Sequence, residues 1–306
     1  MKIKEKIINK LNAIVRRGYW YNNILFPECK KFWFLKSFNL EVVNLGSTSG
    51  VNAFNYDGIP IKAANWALEQ NPLLGDKELL YNYFSFLNPK KSVVIISLCP
   101  FSSLSGSYND FCDYYYTLLN FASIPNGSIR RKNKIQIIKE TPLRYYPLFQ
   151  IINDIKMFIW KKKQRVLSEK EMEINAEIML NSWMREFSIT DFSYPLSMVN
   201  CDGIEDAAII LNEIIIFCKE RNITPVILIP PVYRTLGKLL TPSIRELIID
   251  SLIEKIKDRN VWFHNYMDDS DFSNDISLFR NSFLMNKKGA RLFTIRVLRD
   301  LKIIQQ

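Results

Sequence analysis

A hydroxyl-rich segment, NLGSTSG at residues 44–50, contains the side chains of this sequence that are best placed to act as a nucleophile. Three consecutive hydroxyl side chains, Ser47, Thr48 and Ser49, follow the end of a short apolar run. A hydroxyl group attacks a carbonyl only when a base removes its proton. The chain contains a single histidine, His264, so few side chains can be that base. The segment predicts acyl transfer from Thr48 or a neighbouring serine, provided that a base lies within reach.

The acidic loop after His264 is the second place where a base could be found. Asp268, Asp269 and Asp271 follow the strand-like run VWFHNY, and they could take up a proton, bind a cation or form a solvated acidic loop. His264 itself is expected to bond a neighbour or to stand half-exposed, with a role as base for Thr48 as the alternative. Because neither a second histidine nor a Cys/His spacing accompanies it, we expect no metal site, and no cofactor is implied.

The net charge of +10 is concentrated in two segments. Residues 1–40 hold nine Lys and Arg against two Glu, and residues 129–165 hold eleven against Glu140 and Asp154. Two basic surfaces predict contact with something anionic, such as a phospholipid, a lipid-linked phosphate or a nucleotide sugar, or they are simply solvated. Since no nucleic-acid-binding motif accompanies the charge, we do not expect a nucleic acid as partner.

The composition is that of a globular protein, because 306 residues with 48% hydrophobic content allow a substantial core. No run of about 18 apolar residues lacks charges, so no membrane-spanning helix is predicted. The N-terminal segment has charges throughout and no small-residue cleavage site, which is unlike a secretory signal. The five cysteines are scattered and odd in number, so we expect a reduced protein in the cytoplasm. The oligomeric state stays open.

The N-terminal segment 1–20 is predicted to form a basic amphipathic helix. Its apolar residues recur at helical spacing: Ile3, Ile7, Ile8, Leu11, Ile14 and Val15. Such a helix either packs its apolar face on the rest of the domain or lies on a membrane surface. We expect packing on the domain, and we keep peripheral contact with the inner membrane face as the alternative.

Short apolar runs alternate with helical patterns and predict the fold. The strand-like runs are 41–45, 60–66, 92–98, 223–229 and 261–266, and the helical patterns are 203–221, 241–258 and 287–303. Near-continuous apolar runs are typical of strands that are covered on both faces. We therefore predict a single α/β domain, 1–306, with a three-layer, doubly wound, mainly parallel five-stranded sheet. Right-handed crossovers place all strand C-termini, and any site, along one edge.

About 120 residues separate the third and fourth predicted strands, far more than one crossover requires. Helical and aromatic patterns occur in this segment at 108–122, 146–164 and 168–186. We predict a helical insertion, 105–200, that covers the C-terminal edge of the strands and brings the second basic cluster near the site.

Four stretches at the ends of the predicted strands resemble the SGNH/GDSL hydrolase-like superfamily. They are NLGSTSGVNAFNY (44–56), NWALEQNPLLGDKELLYNY (65–83), LCPFSS (98–103) and FRNSFLMNKKGARLFT (279–294). They look most like a bacterial polysaccharide-associated branch whose last block reads Asp-x-x-His-Leu-Asn-x-x-Gly-Ala-x-x-Phe-Thr. That block matches this chain at Asn286, Gly289, Ala290, Phe293 and Thr294. The resemblance implies an esterase or O-acetyltransferase fold with a Ser-His-Asp mechanism.

The resemblance also implies that the catalytic positions have changed. The nucleophile position is Thr48, the histidine position is Leu284, and the aspartate position is Asn281. Leucine cannot take a proton, and asparagine cannot hold an imidazolium by charge. Ser47 and Ser49 remain as neighbouring hydroxyls. The triad is therefore expected to be degenerate.

The resemblance assigns ligand-contacting positions as well. Gly46 precedes the hydroxyls, and Asn286 precedes the last helix. Where the family has a Gly and an Asn that stabilise an oxyanion, this chain has Asn65 and Cys99. Asn109, in GSYND, is the alternative donor after the third strand. Independently of the resemblance, Asp268 in the acidic loop after His264 is a candidate contact as an unconventional base.

Three functions are compatible with these residues. The leading hypothesis is a non-catalytic or very weak SGNH-like protein that binds an acyl, carbohydrate or anionic ligand in bacterial surface-polysaccharide biosynthesis. The alternative is an active esterase or sugar O-acetyltransferase that uses Thr48 or a neighbouring serine with an unconventional base. The third is a membrane-surface adaptor that docks through the basic N-terminal helix.

Overall fold

The computed structural model describes residues 2–26, 28–33, 37–106, 111–119, 128–152, 155 and 166–305. The chain divides into two compact units. Unit 1 combines Met1–Lys36 with Asp110–Gln164, and unit 2 combines Ser37–Asn109 with Arg165–Gln306. Unit 2 contains the sheet.

The elements of the described chain alternate as the sequence predicts. The strands are β1 (Val42–Gly46), β2 (Ala63–Asn65), β3 (Ser92–Ser97), β4 (Ile223–Ile229) and β5 (Trp262–Asn265). The helices are α1 (Lys2–Val15), α2 (Lys30–Trp33), α3 (Thr48–Ala53), α4 (Leu73–Tyr83), α5 (Ser128–Glu140), α6 (Glu169–Glu186), α7 (Met198–Lys219), α8 (Arg234–Leu239), α9 (Pro242–Arg245), α10 (Ser251–Ile253), α11 (Ser270–Ser273) and α12 (Lys287–Asp300). No helix in the described part of the chain is both long enough and apolar enough to cross a bilayer.

The predicted fold class is confirmed. The five strands form one parallel sheet in the order β2-β1-β3-β4-β5. In such a doubly wound sheet the chain reverses its winding direction between β1 and β3, and the crevice beyond their carboxyl ends is the usual ligand site. The register pairs Gly46, the last residue of β1, with Ser97, the last residue of β3.

Helices cover both faces of the sheet, because the strands are apolar on both sides. On one face, Phe293 and Val297 of α12 join strand residues such as Ile95 and Leu228 in a buried cluster. On the other face, α4 and α7 contact each other and the strands β1 and β4. This double coverage explains why β1, β3 and β4 are nearly continuous apolar runs.

Several element boundaries differ from the sequence prediction. The second strand is only three residues long, although the run 60–66 was expected to form it. Helix α7 begins at Met198, before the predicted start at 203, because the Ser197 hydroxyl caps it by accepting from the Asn200 N–H at 3.3 Å. The predicted helix 241–258 has a π-helical turn, Glu246–Asp250, between α9 and α10.

The long segment between β3 and β4 is divided between the two units. Residues 110–164 belong to unit 1, and α6 belongs to unit 2. Most of the predicted helix 146–164 lies outside the described residues. Helix α6 starts with a capping box, in which Ser168 and Glu171 bond each other's backbone N–H.

Helix α6 lies over the C-terminal strand edge of unit 2. The Trp183 ring contacts Phe101, which follows β3, and Phe283, which precedes α12, with centroid distances of 4.8 and 4.9 Å. About two turns before Trp183 in the same helix, Asn175 Oδ1 accepts from the Ser282 hydroxyl at 2.7 Å. The edge is therefore covered by a packed helix.

Unit 1 is built around α1, α5 and the turns that join them. Asn12 of α1 accepts from the Leu143 N–H at 2.9 Å, and the Trp20 ring meets Tyr146 edge-on at 5.2 Å. Helix α1 ends at Val15, and a π-helical turn, Trp20–Leu25, follows. Of the six apolar residues in the predicted stripe of α1, Val15 is buried and the other five are exposed.

Candidate functional site

The end of β1 is held in place by a close backbone contact. Gly46 has φ +131°, and a Cβ atom at this position would lie 2.4 Å from the Ser97 carbonyl oxygen. Only glycine adopts this conformation without strain and allows this approach. The Gly46 N–H donates to Asp76 Oδ1 at 3.0 Å. The absence of a side chain at Gly46 therefore lets the end of β1 pack directly against the end of β3.

Asp76 is a buried carboxyl group that the sequence analysis did not identify. Its side chain is 2% exposed, and its Oδ1 also accepts from Asn71 Nδ2 at 2.8 Å. Burial raises the pKa of Asp76 to about 7, although the bonds from Gly46 and Asn71 act in the opposite direction. Its position in the first turn of α4 gives no sequence signal of burial, because acidic residues are common there.

Thr48 lies where the nucleophile was predicted, at the first position of α3, but its hydroxyl is engaged. Thr48 Oγ1 accepts a hydrogen bond of 3.2 Å from the Gln70 N–H. Ser47 occupies the N-cap position of α3 without a side-chain capping bond. Both side chains are half-buried. In the described part of the chain, neither an imidazole nor a carboxylate bonds the Thr48 hydroxyl.

Ser49 is the hydroxyl side chain that lines a small buried cavity at the C-terminal ends of the strands. It is 5% exposed, and its Oγ has no hydrogen-bond partner among the described residues. It lines a cavity of about 10 Å³, room for about one water molecule. The other lining residues are Ala53, Leu98, Pro100, Pro230, Pro231, Val232, Phe283 and Met285. The edge is thus filled mainly by apolar side chains.

The residues at the predicted aspartate and histidine positions, Asn281 and Leu284, form hydrogen bonds within the loop that contains them. Asn281 Oδ1 accepts from the N–H groups of Phe283 and Leu284, at 3.0 and 2.7 Å. The carbonyl of Leu284 accepts from the Arg280 N–H at 2.8 Å. Phe283 and Met285 line the cavity beside Ser49, and the intervening Leu284 does not. An apolar wall therefore stands where a histidine would be required.

Asn65, predicted as an oxyanion contact, ties α3 to β2 instead. Its Nδ2 donates to the carbonyls of Gly50, Val51 and Phe54, each at 3.1 Å. Its Oδ1 accepts from Asn44 Nδ2 at 3.0 Å. Because these bonds use the amide donors of Asn65, it has none left for a substrate oxygen.

The second predicted oxyanion position, Cys99, is also engaged locally. The Cys99 N–H donates to Ser102 Oγ at 2.9 Å, and the Ser102 hydroxyl lies 3.3 Å from Cys99 Sγ. Burial raises the pKa of the Cys99 thiol, so it is not a thiolate nucleophile. Asn109, the alternative donor, lies outside the described residues.

Two arginines neutralise the acidic loop after β5. Asp268 forms a two-point ion pair with Arg245, whose Nη2 lies 3.2 Å from Asp268 Oδ1. Arg296 pairs with Asp271 at 2.9 Å and with Asp269 at 3.5 Å. Asp268 is therefore an ion-pair partner and not a free base. No group of three or more His, Cys, Asp or Glu that could hold a metal ion occurs among the residues that the structure describes.

His264 lies far from the hydroxyl segment. It is exposed on β5, where its ring contacts Trp262 at 5.6 Å and Tyr266 at 4.1 Å between centroids. Strands β1 and β5 are separated by β3 and β4, hence by roughly 14 Å in the sheet. The interpretation of His264 as a strand residue that contacts its neighbours fits this geometry better than a role as base for Thr48.

The residues that match the last family block have structural roles. Asn286 caps α12 by accepting from the N–H groups of Lys288 and Gly289, and its Nδ2 donates to the Ser277 carbonyl at 2.7 Å. A Cβ atom on Gly289 would lie 2.2 Å from the Leu278 carbonyl oxygen. Thr294 Oγ1 accepts from the Asn55 N–H at 2.8 Å, which joins α12 to the residues after α3. The most specific part of the resemblance thus describes packing.

A larger concavity in unit 2 lies between α6 and α7. It has a volume of about 380 Å³, within the range of small-molecule sites. Its lining residues are Ser188, Ile189, Thr190, Asp191, Tyr194, Pro195, Leu196, Ser197 and Asn200. Tyr194 is 68% exposed, and hydrogen bonds from Ser193 lower the pKa of Asp191. We refer to this concavity as the 188–200 cleft; the sequence analysis missed it because its residues form no known motif.

Comparison of the sequence with protein-family models and with curated proteins finds no match.

Proposed function

We propose that this protein is a non-hydrolytic SGNH-like α/β protein that acts by binding a carbohydrate rather than by turning over an ester. The observation that carries the proposal is the hydrogen bond from the Gln70 N–H to Thr48 Oγ1 at 3.2 Å. The hydroxyl in the nucleophile position serves as an acceptor that fixes a loop. Leu284 and Asn281 supply neither a base nor a charged partner for one.

The 188–200 cleft is the binding site in this proposal. An exposed aromatic ring, such as that of Tyr194, offers an apolar face on which a sugar ring can stack. The hydroxyl and carboxylate groups of Ser188, Thr190 and Asp191 are suited to bonds with sugar hydroxyls. Since Asp191 is ionised at neutral pH, the cleft favours a neutral or acetylated sugar over an anion.

The resemblance of the strand-end segments supports a setting in bacterial surface-polysaccharide biosynthesis. All five cysteines are free, which supports a reducing compartment such as the cytoplasm. The closed cavity beside Ser49 holds about one water molecule, so the ligand does not enter the former catalytic edge.

Two measurements test this proposal. Hydrolysis of p-nitrophenyl acetate and of acetylated sugars should be at background for the wild type and unchanged in Thr48→Ala. Titration with mono- and oligosaccharides, followed by saturation-transfer NMR, should detect binding that Tyr194→Ala removes and Tyr145→Ala, at another exposed tyrosine, retains. Turnover that Thr48→Ala abolishes would overturn the non-hydrolytic function, and sugar binding unaffected by Tyr194→Ala would overturn the cleft assignment.

One observation favours the alternative of an active esterase or O-acetyltransferase. The buried Ser49 Oγ has no hydrogen-bond partner among the described residues, and it lines the small cavity at the strand ends. In that mechanism Ser49, and not Thr48, would be the nucleophile. Turnover lost in Ser49→Ala but retained in Thr48→Ala would establish it.

A further inference from the structure

We infer that unit 1 carries a docking surface for the anionic face of a lipid bilayer, formed by α1 together with residues 148–152 and Ile155. The inference is independent of the carbohydrate site, which lies in unit 2. It rests on three features of unit 1: an exposed apolar stripe, a second exposed apolar segment, and an excess of positive charge.

The apolar stripe lies along one face of α1. Its four side chains, spaced i, i+4, i+8 and i+11, are exposed by 41 to 78%: Ile3, Ile7, Leu11 and Ile14. Helical geometry puts Asn12 and Val15 on a neighbouring face, and these two are buried. The helix therefore uses one face to pack within unit 1 and presents a different, apolar face to solvent. A soluble helix normally buries such a stripe.

Basic side chains border the exposed stripe. At 100° per residue, Lys4 lies next to Leu11 on one side, and Lys10 lies next to Ile3 on the other. Both lysines are exposed. Helices that lie in the membrane interface have this arrangement, with apolar side chains in the acyl region and lysines that reach the headgroups.

A second apolar segment belongs to unit 1 as well. Its exposed side chains are Leu148, Phe149, Ile151, Ile152 and Ile155, with Leu148 exposed by 80%. The chain that leads to this segment bonds the end of α1: Asn12 accepts from the Leu143 N–H at 2.9 Å, and Arg16, which follows α1, donates from Nε to the Lys139 carbonyl at 3.2 Å. Unit 1 thus exposes nine large apolar side chains in these two segments, which we call the apolar patch. Large exposed apolar surfaces mark protein or membrane interaction sites.

The charge of unit 1 identifies the partner. Unit 1 has 19 Lys and Arg against six Asp and Glu, a net charge of +13, whereas unit 2 has a net charge of −3. A surface with this charge attracts anionic headgroups. It also opposes association of unit 1 with a second copy of itself, because both copies would bring the same positive charge. The occupant of the apolar patch is therefore an anionic bilayer.

Vesicle sedimentation tests the inference with the full chain. Vesicles of phosphatidylcholine with 30–40% phosphatidylglycerol, chosen as the probe, should co-sediment the protein, and pure phosphatidylcholine vesicles should bind it far more weakly. Binding to the anionic vesicles should fall between 0.1 and 0.5 M NaCl, because the screening length shortens from about 10 Å. Equal binding to both vesicle types, or none to either, would overturn the inference.

Variants of the apolar patch separate its two segments. Ile7→Asp/Leu11→Asp should lower vesicle partitioning by about 100-fold, because two large apolar side chains no longer enter the bilayer. Phe149→Asp/Ile152→Asp should have a similar effect. The matched control is Ile209→Asp/Ile216→Asp on α7, where both isoleucines are also exposed. A loss that the control shares, or partitioning that either patch variant leaves unchanged, would contradict the two-segment surface.

Charge variants test the role of the lysines. Lys4→Glu/Lys6→Glu/Lys10→Glu should lower partitioning into anionic vesicles by about 100-fold or more. Lys90→Glu/Lys91→Glu/Lys238→Glu, at exposed lysines of unit 2, makes the same change in net charge and should have little effect. Light scattering after gel filtration distinguishes a protein partner. A dimer that Ile7→Asp/Leu11→Asp dissociates, without vesicle binding by the wild type, would assign the patch to a second copy and overturn the inference.

Discussion

The backbone N–H of Gly46 donates a hydrogen bond of 3.0 Å to Asp76, a carboxyl group buried beside the end of β1. The same oxygen of Asp76 accepts from Asn71. This arrangement fixes the last residue of the strand that leads into the hydroxyl segment. It also places a titratable group with a pKa of about 7 in the interior, where burial opposes its ionisation.

Asp76 should make the stability of the fold depend on pH. Its pKa is about 7 in the folded state and near 4 in the unfolded chain, so the folded state binds the extra proton between these values. This contribution to the free energy of unfolding is complete below about pH 4 and is lost as the pH rises through 7, by roughly 4 kcal/mol in total. Urea unfolding at pH 4.5 and pH 8 measures it.

The variant Asp76→Asn isolates that effect. Its Oδ1 can still accept from both Gly46 and Asn71, but the side chain no longer ionises. We expect a smaller loss of stability between pH 4.5 and pH 8 than in the wild type. The control is Asp57→Asn, at an exposed carboxylate. If the two variants had the same pH dependence, Asp76 would not be the group responsible.

Restoring the triad should not restore activity. Thr48→Ser with Asn281→Asp and Leu284→His places all three residue types in the positions that the proposed resemblance assigns, but position 284 does not line the cavity beside Ser49. The donors of Asn65 also remain engaged with the end of α3. Hydrolysis of p-nitrophenyl acetate should stay at background. A rate increase that requires all three substitutions would show that the edge opens further than the structure indicates.

Asn286 should matter for stability and not for binding. Asn286→Ala removes the cap of α12 and two donor bonds to the carbonyls of Ser277 and Phe279. We expect a loss of roughly 2–4 kcal/mol in the free energy of unfolding. Asn286→Asp keeps the cap acceptor and should lose less. Sugar affinity in the remaining folded protein should be unchanged; a selective loss of affinity would instead make Asn286 a ligand contact.

Gly46→Ala should be among the most destabilising single changes. The added Cβ would lie 2.4 Å from the Ser97 carbonyl, at a φ of +131° that alanine rarely adopts. Gly58→Ala provides the comparison, because Gly58 has φ +69° but its nearest neighbour is the flexible Arg291 side chain at 3.3 Å. We expect a cost of about 1 kcal/mol at Gly58 and of more than about 3 kcal/mol at Gly46, measured by thermal unfolding. Similar costs would mean that β1 and β3 can move apart.

The apolar pattern of the sequence predicted the sheet, because burial on both faces demands apolar residues along the whole strand. The runs 41–45, 92–98 and 223–229 lie within one or two residues of β1, β3 and β4. β2 was predicted too long, because only Ala63–Asn65 pair with β1. Local chemistry also predicted the start of α12, since Asn286 caps it through its own backbone neighbours. The helix cap depends only on residues that are close in sequence. The strands are recognisable because their burial requires an unbroken run of apolar residues.

The sequence alone thus determined the α/β class, the position of the hydroxyl segment at the end of β1, and the presence of leucine at position 284 and asparagine at position 281. Only the tertiary structure decided that Ser49 faces the cavity while Thr48 accepts from Gln70, and that the Asn65 donors are used within the fold. It also decided that Asp76 is buried and that the apolar stripe of α1 is exposed. The physical reason is that hydrogen-bond partners and burial depend on which distant segments pack together, and an amphipathic or acidic pattern is the same whether its face meets protein or solvent.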